Sequence, residues 1–176
     1  MRRFVSILVV ALVAPLGAFA AEDDGMTTDR IDALIGAIGE DVARVDDQDV
    51  WTFAVEEVAL TVIADPKHDR MRVVAAIAPA DILPADLILR LMQSNFDSAL
   101  DARYAIARGN LWATYIHPLS PLTDKQFISG VGQTANLVKS FGTTFSSGGL
   151  TFGGGDSQAL ILRGLIERLQ KKGEAI

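Results

Sequence analysis

The side chains that could carry out chemistry are few and lie far apart along the chain. Asp65, His68 and Asp69 fall within one short turn, and His117 is the only other histidine. An imidazole beside carboxylates could bind a metal or transfer protons. Two carboxylates and one imidazole are too few fixed ligands, however, and Asp-Pro-Lys-His-Asp is typical of a solvated hairpin turn. We therefore predict no metal site, no cofactor and no catalytic residue, and we expect Asp65 and Arg70 to pair across this turn.

The sequence also lacks the motifs of hydrolases and nucleotide-binding proteins. It contains no cysteine and no G-x-S-x-G, so thiol catalysis, a thiolate metal site and a serine nucleophile elbow have no support. The glycines of 148–155 are not followed by Lys-Ser or Lys-Thr, so they favour a flexible tether over a phosphate loop. His117 precedes Pro118 at a predicted strand end, where a bond to a backbone carbonyl is the simplest interpretation. We predict that the chain is not an enzyme.

Residues 1–20 have the three-part layout of a secretory signal peptide. Arg2-Arg3 is basic, 4–14 is apolar apart from one serine, and Ala18-Phe19-Ala20 offers small residues for cleavage. A retained membrane anchor is the alternative, but this apolar run is shorter than the roughly 20 residues that a spanning helix needs. We predict cleavage after Ala20 and a periplasmic or secreted mature protein.

The composition of the remaining chain indicates one acidic domain. Removing 1–20 takes away two arginines and no acids, which changes the formal net charge from −6 to −8. An acidic chain is repelled by phosphate backbones, so we exclude nucleic acid as a partner. Without cysteines in an oxidising compartment, the fold must depend on its hydrophobic core alone.

The pattern of apolar residues predicts an α+β fold. A first helix is expected from Thr28 or Asp29 to Val45, a second behind Pro84, and a third behind the capping box that begins at Thr123. Alternating apolar residues predict five strands, at 51–55, 58–64, 70–78, 102–107 and 111–117. We expect one antiparallel five-stranded sheet with helices packed on one face, in the order α-β-β-β-α-β-β-α.

The predicted organisation has five segments. They are a signal peptide at 1–20, a polar leader at 21–27, the α+β domain at 28–146, a Gly-rich linker at 147–155 and an amphipathic C-terminal helix at 156–172. The last helix could dock on the domain, bind a partner or lie on a membrane surface. Its basic residues Arg163, Arg168, Lys171 and Lys172 would suit anionic lipid, but Glu167 weakens that case, and membrane contact is the least favoured of the three.

Two stretches of the chain carry a resemblance to a known family. They are Leu89-Arg90-Leu91-Met92-Gln93-Ser94-Asn95-Phe96 and Tyr104-Ala105-Ile106-Ala107-Arg108-Gly109-Asn110-Leu111-Trp112. Together with the element order over about 28–146, they resemble type III secretion chaperones of the Tir-chaperone type and the related YbjN family, here as an exported member. The resemblance implies domains that act without chemistry, dimerise, and hold extended segments of partner proteins along apolar patches.

Two groups of residues are candidates for binding a partner. The first group could line a peptide groove, although plain core packing is the favoured explanation: Met71, Met92, Phe96, Tyr104 and Trp112. The second group would share the sheet face that points away from the helices: Arg72, Val74, Ala76, Arg103 and Ala105. We predict a protein-binding domain of the chaperone or adaptor type that holds an apolar segment of a partner or of a second copy. The alternative is a module of the cell envelope that binds a small molecule or lipid in a closed apolar cavity.

Overall fold

In the part of the chain that the structure describes, a six-stranded antiparallel sheet carries four helices on one face. The computed structural model describes residues 25–45, 48–97, 99–141 and 155–175. The strands are β1 (Glu40–Arg44), β2 (Val50–Val55), β3 (Val58–Asp65), β4 (Arg70–Pro79), β5 (Arg103–Ala107) and β6 (Asn110–His117), in the spatial order β1-β2-β3-β4-β6-β5. The helices are α1 (Thr28–Ile38), α2 (Ala85–Asp97), α3 (Asp124–Ser140) and α4 (Gly155–Gly173). The predicted α+β class and the antiparallel sheet with helices are confirmed.

Several predicted segments lie outside the described residues. They include the signal peptide at 1–20, the leader up to residue 24 and the Gly-rich linker up to residue 154. The signal peptide, the linker and the segment boundaries therefore stay predictions. Of the helices that are described, none is long and apolar enough to cross a membrane.

The first helix is shorter than predicted, and its expected second half is a sixth strand. Helix α1 buries its apolar stripe of Ile31, Leu34, Ile35 and Ile38 and then ends at Gly39, whose N–H donates to the carbonyl of Ile35 at 2.8 Å. A Cβ on Gly39 would lie 2.9 Å from the ring of Phe53, so only glycine allows this close approach of α1 to β2. The following residues pair with β2 as strand β1 instead of extending the helix. The prediction of five strands was therefore one too few.

The hairpin turn between β2 and β3 has the predicted position and a defined geometry. Glu56 and Glu57 both adopt positive φ angles, 46° and 69°. Two consecutive left-handed residues form the tight turn that matches the twist of antiparallel strands. Val55 and Val58 are the last pair of this ladder, so the turn contains only the two glutamates.

The core lies between the sheet and the helices and has two parts. The larger cluster joins α1, α3 and α4 to the sheet, and its fully buried members include Trp51, Phe127, Val62, Val73 and Val131. The smaller cluster consists of Leu91, Tyr104 and Leu111 and attaches α2 to the strands at the other side of the sheet. Alternating residues of β2, β3 and β4 enter the core, as the strand patterns predict.

The C-terminal helix α4 docks on the domain rather than standing apart from it. Leu165 and Leu169 are buried in the main core cluster. Glycines allow close approach at two points: a Cβ on Gly132 of α3 would lie 2.9 Å from Ile166, and one on Gly173 would clash with Ile128. Of the three roles considered for this helix, the structure therefore shows the docked arrangement.

One carboxylate joins three elements at the edge of this helix layer. Glu56 in the β2–β3 turn accepts a hydrogen bond from Lys139 of α3 at 2.6 Å and forms an ion pair with Arg168 of α4. These two partners hold the pKa of Glu56 below its ordinary value of 4.5, mainly through the hydrogen bond from Lys139. The cluster is partly exposed to solvent, so its contribution to stability is small, about 1 kcal/mol or less.

We expect the contribution of Glu56 to disappear in acid. Because the folded-state pKa is lowered, the stabilisation is fully present above the unfolded pKa of about 4.5 and is lost as the pH falls through the folded-state pKa. Urea unfolding of the wild type and Glu56→Gln should therefore differ in unfolding free energy at pH 7 and converge near pH 3. Glu57→Gln is the matched control because Glu57, in the same turn, makes no ion pair with any described residue. An equal gap between the wild type and Glu56→Gln at pH 7 and pH 3 would contradict this assignment.

Candidate functional site

The residues of the β3–β4 turn form a hydrogen-bonded hairpin rather than an assembled reaction centre. Asp65 accepts a bond from the backbone N–H of His68 at 3.2 Å, and its second oxygen lies 2.7 Å from His68 Nδ1. The imidazole is therefore the partner of Asp65, and it holds the pKa of that carboxyl below its usual range. Asp65 and Arg70 are opposite each other in the β3–β4 ladder, but the expected ion pair between their side chains does not form, because Arg70 donates to the carbonyl of Asp69 at 2.8 Å.

Asp69 has a structural role at the same turn. Its φ angle is 51°, and its carboxylate accepts bonds from the N–H of Ser120 at 2.7 Å and from the Ser120 hydroxyl at 2.9 Å. These bonds hold its pKa below the ordinary value. The residue thus attaches the β3–β4 hairpin to the segment that leads into α3.

His117 lies at the end of β6, where it pairs with Met71 of β4 near the β3–β4 turn. Its Nδ1 is 2.7 Å from the carbonyl oxygen of Pro118, as the sequence predicts, and its ring stacks on Tyr115 with centroids 6.0 Å apart. Among the described residues, no group of three or more histidine, aspartate or glutamate side chains is placed to hold a metal ion.

The five predicted partner-binding residues lie on one face of the sheet. In the β4–β6 ladder Arg72, Val74 and Ala76 pair with Ile116, Thr114 and Trp112. In the β5–β6 ladder Arg103 and Ala105 pair with the same Thr114 and Trp112. Because the core lies on the opposite side, these residues belong to the face that carries no helices, which we call the open sheet face. Whether a partner binds there stays a prediction.

The open sheet face carries both polar and apolar side chains. Small and β-branched residues cover most of it, and its large apolar side chains Ile63 and Ile116 are 37% and 55% exposed. Trp112 is half-buried, and its indole N–H donates to the carbonyl of Ala107 at 2.8 Å. Arg103 turns its guanidinium to the carbonyls of Leu100 and Ala102.

The five residues of the predicted peptide groove do not come together. Met71 and Tyr104 are buried in the two core clusters, whereas Trp112 lies on the open sheet face. Met92 and Phe96 are 43% and 91% exposed on helix α2. The groove is therefore wrong as a single site, and core packing explains only part of the set.

Helix α2 presents an exposed apolar surface that the sequence analysis did not predict as a site of its own. Leu89, Met92 and Phe96 follow one another at helical spacing, and Ile82 and Leu100 flank the helix. These five side chains, which we call the α2 surface, are between 43% and 91% exposed. Leu91 is the fully buried residue of this helix, with Leu87 packed beside it. The sequence does indicate this surface. Residues 87–92 are apolar apart from Arg90, so they place apolar side chains on more than the one side of the helix that faces the core.

Two amide side chains occupy the outer edge of strand β5. The side chain of Asn95 accepts from the N–H of Tyr104 at 2.7 Å and donates to its carbonyl at 2.9 Å. The oxygen of Gln133 accepts from the N–H groups of Asp101 and Ala102 at 2.8 and 3.0 Å. These side chains take the place of a neighbouring strand, so Asn95 of the resembling stretch has an identified structural role.

Known structures of similar fold exist, although no family model and no curated protein matches the chain. A chain of the ExsC–ExsE complex aligns with 65% of this chain and 92% of its own length, at 16% identity and a TM-score of 0.51. The fold of this chain is similar to that of the aligned ExsC–ExsE chain. A chain of the HopA1–SchA chaperone–effector complex aligns with 55% of this chain and 77% of its own length, at 15% identity and a TM-score of 0.46. The likeness to the ExsC–ExsE chain supports the fold part of the predicted resemblance. The relation to YbjN and the exported location stay predictions.

Two clefts among the described residues are open rather than closed. One of about 550 Å³ lies at the end of β6 and is lined mostly by polar and charged residues. Another of about 500 Å³ lies where Met26 and Thr27 meet Ser120. A module that binds a small molecule or lipid was expected to show a closed apolar cavity, and neither cleft has that form.

Proposed function

We propose that this protein is an exported, non-enzymatic binding domain of the chaperone or adaptor type that holds an apolar segment of a partner protein. The α2 surface is the observation that carries the proposal. Exposed large apolar side chains concentrated on one segment mark interaction sites. Each large side chain that a partner buries fully would contribute roughly 1.5–3 kcal/mol before the losses in entropy are subtracted.

Two further observations support this function. The fold is similar to a chain found in a two-protein complex, ExsC–ExsE. The signal-peptide layout of residues 1–20 supports export, which places the binding event in the periplasm or outside the cell. The open sheet face, with Val74 at its centre, is a second surface that the same partner could cover.

The test compares partner capture by matched variants. The tagged mature protein is recovered from its native envelope, and its companions are identified by mass spectrometry and then re-bound to the purified domain. We expect Phe96→Asp to reduce binding at least ten-fold with an unchanged melting temperature, because Phe96 is 91% exposed. Val74→Glu tests the open sheet face in the same way, and Glu57→Gln is the control that should bind normally.

Two outcomes would overturn this proposal. One is the recovery of companions that bind wild type, Phe96→Asp and Val74→Glu equally well. The other is a doubled molar mass of the purified wild type in light scattering that Phe96→Asp returns to the monomer value, because a second copy and not a partner segment would then cover the α2 surface. Sequencing the N-terminus of the recovered protein checks export, with Ala21 expected as the first residue.

A further inference from the structure

Helix α4 packs on other helices and forms an outer layer of the domain. Among the described elements its main contacts are with α3 and α1, whereas α3 itself packs on the sheet. Leu34 of α1 and Ile128 and Gly132 of α3 line its binding site, which we call the α1–α3 groove. The buried side chains of Leu165 and Leu169 are the main apolar contribution of α4 to this contact.

The groove fits α4 through one close backbone contact and one ion pair. A Cβ on Gly132 would lie 2.9 Å from Ile166, so α3 accepts this branched side chain directly against its backbone. Glu56 of the β2–β3 turn forms an ion pair with Arg168 of α4. A segment held in this groove therefore needs an apolar residue at the position of Ile166 and a cation at the position of Arg168.

The match to known folds leaves room for α4 as an added element. The chain of the ExsC–ExsE complex aligns over 92% of its own length but covers only 65% of this chain. The elements from α1 through α3 account for about the same share of the sequence. Residues 142–154, which connect α3 to α4, contain five glycines. The predicted Gly-rich linker would keep a displaced α4 close to the groove, so that it can return.

We propose that the α1–α3 groove is a second segment-binding site, which α4 occupies in the resting protein, and that an amphipathic helix of the partner displaces α4. The inference rests on the proposed function and specifies the partner segment. That segment is helical, with large apolar residues at positions i, i+1 and i+4 and a basic residue at i+3. Leu165, Ile166, Leu169 and Arg168 of α4 have this spacing, because α4 is the segment that the domain holds in this structure.

A second copy of the chain is a weaker occupant than a partner helix. The α4 helix of another copy would make only the contacts that the protein's own α4 makes. The linker holds the protein's own α4 at an effective concentration of about millimolar, so exchange between copies is disfavoured at micromolar protein. A partner that also covers the α2 surface gains affinity from that second contact and can therefore compete with α4.

A disulfide between α3 and α4 tests whether α4 must leave the groove. The chain has no cysteine, so Gly132→Cys combined with Ile166→Cys introduces a single pair. A Cβ at residue 132 would lie 3.8 Å from the Cα of Ile166, which suits a disulfide, and the loss of the isoleucine side chain leaves space for the sulfur atoms. The oxidised form keeps α4 docked, and the reduced form of the same protein is its control.

The probe is a fluorescein-labelled peptide of residues 155–175, whose binding is followed by fluorescence anisotropy. We expect the oxidised form to bind it at least ten-fold more weakly than the reduced form, because the groove is then permanently occupied. Leu169→Asp in the protein weakens its own α4 and should tighten peptide binding at least ten-fold relative to the wild type. Glu167→Gln, at an exposed position of α4, is the control and should bind as the wild type does.

The charge requirement is tested by exchanging the two charges. A peptide with Arg168→Glu should bind the Leu169→Asp protein about five-fold more weakly, because its carboxylate would face that of Glu56. Adding Glu56→Lys to the protein should restore the binding of this peptide. For the partner recovered from the envelope, we expect capture to fall at least ten-fold on oxidation of the disulfide and to return on reduction.

Three results would overturn the groove site. They are equal peptide binding by the oxidised and reduced forms, partner capture that the disulfide does not change, and a doubled molar mass of the wild type that the oxidised form returns to the monomer value. The disulfide retains the docked helix, so it decides the test even where Leu169→Asp lowers the melting temperature.

The two proposals fail separately. If capture is insensitive to the disulfide but is abolished by Phe96→Asp, the binding function stands and the groove assignment falls. If the disulfide abolishes capture while Phe96→Asp and Val74→Glu do not, the groove is the binding site and the α2 surface falls. If none of these changes affects capture, both proposals fall.

Discussion

Replacing Trp51 with alanine is expected to remove about 3–5 kcal/mol of unfolding free energy, a large part of the roughly 5–15 kcal/mol typical of a domain. Trp51 is fully buried in the main core cluster. Its indole N–H also donates to Asp32 of α1 at 2.7 Å, and the guanidinium of Arg44 lies 4.8 Å from its ring centre. The substitution would therefore leave a large cavity and loosen the contact of α1 and β1 with β2.

The second tryptophan provides the matched comparison. Trp112 is half-buried on the open sheet face, so Trp112→Ala should lower the unfolding free energy by only about 1 kcal/mol. Urea unfolding followed by circular dichroism measures both variants at pH 7. Equal losses for the two substitutions would mean that Trp112 belongs to the core and that the open sheet face is covered.

Gly130→Ala is expected to destabilise the fold although alanine is the better helix former. A Cβ at Gly130 of α3 would lie 2.5 Å from two ring atoms of Tyr115, and the ring is held against β6 and His117. Overpacking of this kind typically destabilises by about 1–3 kcal/mol, which exceeds the gain in helix propensity of up to about 1 kcal/mol. We therefore expect a net loss and a lower melting temperature.

Gly36→Ala in α1 is the control, because no atom lies within 4 Å of its added Cβ. Only the propensity gain applies there, so the melting temperature should stay the same or rise. Calorimetry on the two variants separates packing from propensity. A stabilising Gly130→Ala would show that α3 and Tyr115 can move apart at little loss.

Much of this architecture follows from local patterns in the sequence. Thr123 and Gln126 form the expected capping box, and the alternating residues of β2 to β4 enter the core as predicted. These features are predictable because they depend on neighbours a few residues away.

The errors occurred where distant contacts decide the structure. Gly39 ends α1 because Phe53 of β2 approaches it. That contact cannot be predicted from the helical spacing of Val42 and Val45 in the sequence. Helix α2 buries Leu91 against Tyr104 and Leu111 and exposes Phe96, so only one side of the helix packs on the described chain. The cleft around Tyr115 unites residues from β6, α3 and α4, and no motif links them in the sequence.

The amide groups on the β5 edge also limit how this sheet can grow. Asn95 and Gln133 occupy main-chain positions at that edge, whereas all five residues of β1 at the opposite edge are exposed. Filaments assembled by edge pairing need two free edges, because each added molecule must leave one for the next. With β5 partly covered in this way, β1 is the more accessible edge of the described sheet, and pairing through it would join β1 to β1 and stop at two. The fold therefore limits open-ended polymerisation through the arrangement of two side chains.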